Sequence, residues 1–109
     1  LRYDIEFTVT AAEDLSSLRA AERRVVEDAI DTHLRYEPTK TSKSRIKRLR
    51  GLSSPQYRLR VDEFRVFYDV EYHVDPARGT VIILAVKRKI NVTAWLVGNE
   101  ASDETSTPE

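Results

Sequence analysis

At 109 residues the chain has room for one domain, and about two-thirds of its extended surface can be buried at that size, enough for one modest core. It has no cysteine, so disulfides and thiolate metal sites are excluded, and no apolar run approaches the ~20 residues of a membrane span. The formal net charge of zero hides a segregation. Asp4 to Asp31 holds eight acids against three arginines, and Arg35 to Arg65 holds ten bases against three acids. Lys87, Arg88 and Lys89 add a second basic cluster, and the segment from Gly98 onward carries only acids. A local basic field of this kind steers polyanions. With no cysteine and no visible signal segment, the expected location is cytoplasmic.

Tyr3, Ile5, Phe7 and Val9 alternate with Asp4, Glu6 and Thr8, which predicts a half-buried first strand. Thr10 with Glu13 reads as a capping box opening a helix over Ala11–Leu18. A second helix is predicted over Ala20–Arg35, with Val25, Val26, Ala29, Ile30 and Leu34 at helical spacing, stopped by Pro38. Lys40 to Arg50 is polar and basic, with Ile46 and Leu49 as its apolar anchors, and Gly51 with Ser53-Ser54-Pro55 marks a turn. The next strand, Gln56–Val61, turns through Asp62-Glu63 into a hairpin partner over Phe64–Tyr72. After the Asp75–Gly79 turn, Thr80–Val86 reads as a strand buried on both faces. A short helix over Asn91–Val97 closes a domain of residues 1–97, and residues 98–109 read as an acidic, disordered tail. The order predicts an α+β fold, with an N-terminal strand and helical hairpin packed on an antiparallel sheet meander.

Arg58 and Arg60 are two apart on one strand, opposite in face to Tyr57, Leu59 and Val61. Arg65 is likewise opposite to Phe64, Val66 and Tyr68. With helices on the apolar face, all three arginines are expected on an open face, where guanidinium groups suit phosphate. Phe67 shares that face and is expected to offer a base a stacking surface. Arg88 has the parity of Ile82, Leu84 and Val86, so its placement depends on how the last strand ends. His33 and His73 have no partner at metal-ligand spacing, three glycines leave no phosphate-cradling loop, and Ser53 and Ser54 lack an activating base nearby. No cofactor or metal is expected.

The stretch IKRLRGLSSPQYRLRVDEFRVFYDVEYHVDPARGTVIILAVKRKINVTAWL resembles the C-terminal half of RelE/ParE toxins. The similarity lies in an LRG entry, a YRLRV strand, an FRVFYDV strand and an apolar VIILAV strand ending in bases. It spans about residues 3–96, with its specific part at Leu49–Leu96. The resemblance implies a RelE/ParE-like fold and the toxin of a type II toxin–antitoxin pair, neutralised by a cognate acidic antitoxin. RelE-like members cut mRNA in the ribosomal A site, whereas ParE-like members inhibit DNA gyrase without cutting RNA. A toxin-fold binding protein that has lost toxicity is a third reading. The RelE-like pattern carries the catalytic positions to Arg58, Arg60, Arg65 and Arg88. Lys47, Arg48, Arg50, Phe67, Lys87 and Lys89 are the expected nucleic-acid contacts. Two positions depart from the pattern. Arginine stands where the family has lysine on the second strand of the meander, and arginine does not deprotonate in a protein. Ala94 and Trp95 stand where the family has a tyrosine, and Trp95 reads as a core anchor with Leu96.

Overall fold

The computed structural model describes residues 2–74 and 78–100. Five strands, β1 (Tyr3–Phe7), β2 (Ile46–Arg48), β3 (Tyr57–Val61), β4 (Phe64–Tyr72) and β5 (Gly79–Arg88), form one sheet in the order β1-β5-β4-β3-β2. The helices are α1 (Val9–Ser16), α2 (Ala20–Leu34) and α3 (Val92–Glu100), the last preceded by a 3-10 turn at Lys89–Asn91. From β2 to β5 every pairing is antiparallel, while β1 joins β5 in parallel, and the helical hairpin carries the chain from β1 at one edge of the sheet to β2 at the other. The architecture is the expected α+β one, with a short C-terminal helix.

The apolar alternation of β3, β4 and β5 supplies the main core. Leu59, Val61, Phe64, Val66, Tyr68, Val70, Val81 and Ile83 meet Ala11 and Leu15 of α1 and Val26, Ile30 and Leu34 of α2. The buried Tyr68 hydroxyl donates to the Pro38 carbonyl at 2.6 Å, which fixes the chain leaving α2 over the sheet. Ile46 also joins this core, as its place in the basic stretch suggested, and anchors the short β2 at the edge of the sheet.

Several local expectations are corrected. Thr8, not Thr10, caps α1: its Oγ1 accepts from the Ala11 amide at 3.1 Å and donates to the Leu84 carbonyl at 3.1 Å. The tertiary bond favours the earlier cap, and Val9, placed in the first strand by its alternation, opens the helix and is exposed. The second face of the sheet is not open. Leu49, Leu52, Phe67, Ala85 and Leu96 form a smaller core there, with Val92 and Trp95 packed against it. Helix α3 therefore covers part of the face assigned to solvent, and it runs to Glu100, past the expected boundary at Val97. The rest of the expected tail, residues 101–109, lies outside the described residues.

One irregularity sets the orientation of Arg88. Phe67 pairs with Ala85 but Tyr68 pairs with Ile83, so Leu84 is an extra residue in β5. Before the bulge, Val81 and Ile83 face the helices; after it, Val86 does, opposite Val66. By the same register Arg88 sits opposite Phe64, on the face of α1 and α2.

Candidate nucleic-acid interface

The register of β2 to β5 lines up cations across the sheet. Arg60 pairs directly with Arg65, and Arg65 with Lys87, giving three cations in one row over three adjacent strands. Lys47 pairs with Arg58 one step away. These residues share the face of Phe67, away from α1 and α2. Like charges directly opposite in a sheet destabilise it, and among the described residues Asp14 relieves this only at the Lys87 end of the row, at 3.2 Å.

Arg65 is the centre of the row. It is 6 % exposed, although a position on the open face was expected. Its Nη1 donates to the carbonyls of Asp62 and Phe64, both at 2.8 Å, and among the described residues no carboxylate pairs with it. Burial, then the charges of Arg58 and Arg60, press its pKa below the usual arginine range. The guanidinium stays charged at neutral pH regardless. Such a cation is held by the fold at an electrostatic cost, the pattern found where a protein stabilises a transient negative charge.

Two clefts meet at Arg65. A cleft of about 590 Å³ is lined by Arg60, Asp62, Glu63, Arg65, Arg88, Lys89 and Ile90. A second, of about 210 Å³, is lined by Leu49, Arg58, Arg65, Phe67, Lys89, Val92, Thr93 and Leu96. Lys89, exposed just beyond β5, borders both, and Ile90 stands 87 % exposed beside it. The structure thus gathers Arg58, Arg60, Arg65, Arg88 and Lys89 at the end of the sheet where β4 begins and β5 ends.

The remaining expected contacts divide. Phe67 is 0 % exposed beneath Trp95, ring centroids 4.6 Å apart, so its ring is part of the second core and offers no face to a base. Arg48 pairs with Tyr57 on the opposite face, lies over that ring at 5.2 Å, and donates to the carbonyls of Leu49 and Gln56. Its guanidinium braces the loop after β2. Arg50 is exposed in that loop. Lys87 is partly neutralised by Asp14 of α1 at 3.2 Å. Arg88 borders the larger cleft, yet its guanidinium lies over the Phe64 ring at 4.8 Å and donates to Glu22 of α2.

In the sequence Asp62 and Glu63 read as the hairpin connection and as acids able to pair with the neighbouring arginines. The structure puts both on the larger cleft, where theirs are the carboxylates of its lining. Asp62 has a left-handed φ of 51°, a conformation that aspartate tolerates better than most residues. An acidic pair in a two-residue turn between arginine-bearing strands was the signal available.

No family model and no curated protein sequence matches the chain. Solved structures do. In the RelBE2 toxin–antitoxin complex of Mycobacterium tuberculosis, a chain 26% identical aligns over 81% of this chain and 99% of its own length, with a TM-score of 0.60. In the archaeal RelE–RelB complex of Pyrococcus horikoshii the values are 26%, 82% and 97%, again with a TM-score of 0.60. The Methanococcus jannaschii RelB–RelE complex, 20% identical with a TM-score of 0.58, shares the fold. The fold is that of the RelE–RelB toxin–antitoxin structures. Within it, the chain resembles the RelE toxin. Among the described residues no helix is long and apolar enough to cross a membrane.

Proposed function

We propose that the chain is the toxin of a type II toxin–antitoxin pair and acts as a RelE-like endoribonuclease on ribosome-bound mRNA. The observation that carries this reading is the cross-strand row Arg60–Arg65–Lys87, with a buried Arg65 at its centre that has no carboxylate partner among the described residues. In this role Arg58, Arg60 and Lys89 bind the RNA backbone, and Arg65 stabilises the charge that builds on the scissile phosphate. Cleavage also needs a group to take the 2′-hydroxyl proton, and the carboxylates of Asp62 and Glu63 are the cleft's candidates for it. The partner is a cognate antitoxin, as in the RelB–RelE complexes, and an acidic one suits the basic cleft. Exposed apolar side chains such as Phe7, Val9, Tyr36 and Tyr72 are surface that such a partner would cover.

Single alanine variants at Arg58, Arg60 and Lys89 are expected to weaken binding of a single-stranded RNA; for the exposed Arg60 and Lys89 the stability should stay within about 1 kcal/mol of the parent's, because exposed sheet and turn residues contribute little, whereas the half-buried Arg58 should cost more. Each lost phosphate contact should flatten the slope of log affinity against log salt by about 0.7. Variants that bind RNA with the parent's affinity and salt slope would reduce the basic face to a solvated surface and remove the reading.

A further inference from the structure

The Leu84 bulge creates a contact that the proposed chemistry does not use. It turns Arg88 to the helix side of β5, where Nη2 donates to both carboxylate oxygens of Glu22, at 3.2 and 3.3 Å. Glu22 is 16 % exposed and Arg88 41 %. The same carboxylate accepts from the Arg19 amide at 3.3 Å, so it also closes the first turn of α2. Glu63 lies 4.0 Å from the Arg88 Nη1. Arg88 nevertheless borders the cleft of Arg60 and Arg65, and its side chain is half-exposed at the strand end.

We propose that Glu22 is a latch on Arg88: it competes with phosphate for the guanidinium and holds it over Phe64 until a polyanion occupies the cleft. The inference rests on the reading of that cleft as a phosphate site. With the latch closed, Arg88 borders the cleft with its guanidinium tied to Glu22; with it open, that guanidinium is released to the phosphate alongside Arg60, Arg65 and Lys89. Glu22 is thus a positioning residue, acting through Arg88 and not on the RNA itself. Its carboxylate ties the strength of the cleft to the first turn of α2, a surface on the other side of the sheet.

The test is Glu22→Gln, since glutamine keeps the capping acceptor but gives up the charge. Binding of a short single-stranded RNA should tighten about fivefold at low salt, the scale of a half-exposed ion pair removed from competition. The salt slope should steepen by about 0.7, for one added phosphate contact. Glu27→Gln, the same charge change five residues further along α2 and without a hydrogen bond to Arg88, should do neither beyond a small uniform shift. In an Arg88→Ala background, Glu22→Gln should have no effect, which a general charge or folding effect cannot reproduce. Equal responses to Glu22→Gln and Glu27→Gln, or the same gain without Arg88, would overturn the latch while leaving the cleft reading intact. If the parent binds no RNA and the variants at Arg60 and Arg65 change nothing, both fall together.

Discussion

Arg65→Met is expected to abolish RNA cleavage while leaving the domain as stable as the parent, or more so. The loss follows from position. Arg65 stands between Arg60 and Lys87, borders both clefts, and is held by the backbone carbonyls of Asp62 and Phe64. Removing one preorganised transition-state donor typically lowers the rate about 100- to 1000-fold. The gain in stability follows from burial: a cation with no carboxylate partner and two arginines nearby is replaced by an apolar chain of similar length. Exchanging buried ionic groups for apolar ones is often neutral or stabilising by about 1–4 kcal/mol. The carbonyl of exposed Asp62 stays within reach of water, so its lost bond costs little, while the buried bond lost at the Phe64 carbonyl offsets part of the gain. Arg65→Lys should fold normally but keep only part of the activity, since lysine offers charge without the planar fork. A thermal melt beside a cleavage assay reads both quantities. A large fall in melting temperature for Arg65→Met would make Arg65 a structural residue.

Phe67→Ala should be the most destabilising single change on the cationic face. The ring is fully buried between β4 and α3, in a small core with Leu49, Leu52, Ala85 and Leu96. A buried Phe→Ala change costs about 3–5 kcal/mol, a large share of the roughly 5–15 kcal/mol that holds a domain folded. Because Trp95 lies 4.6 Å from this ring and is the chain's single tryptophan, its emission reports on the site directly. A red-shifted emission with a lowered melt is the expected result, with α3 leaving the sheet. A melt unchanged from the parent's would return Phe67 to the surface, where a base could stack on it.

The parts of this fold legible in the sequence are those set by local alternation. β4 has its expected bounds, α2 ends one residue early, and Arg58, Arg60 and Arg65 share the expected face, because each depends on side chains two or four residues apart. What was not legible is non-local. The parallel pairing of β1 with β5 spans the helical hairpin, and nothing in Tyr3–Phe7 names its partner. The three-residue β2 is masked by its own bases, with only Ile46 marking the inward face. The Leu84 bulge inverts the parity from which Arg88 would be placed, and a run of apolar residues on both faces conceals it. The second core did leave a trace. Phe67 stands among Arg65, Asp69 and Glu71 on its face of the strand, and a lone large apolar side chain in a polar row calls for a cover. α3 supplies it, and the aromatic group read as a ligand for bases is instead the anchor that holds the helix beside the arginine clefts.

The most direct test of the central claim is a reconstituted translation reaction on a defined mRNA, with the purified chain added and the RNA mapped by primer extension. New 5′ ends should appear within the reading frame only when ribosomes are translating, and none with Arg65→Met. Intact mRNA and undiminished translation, together with loss of gyrase supercoiling in a parallel reaction, would contradict it.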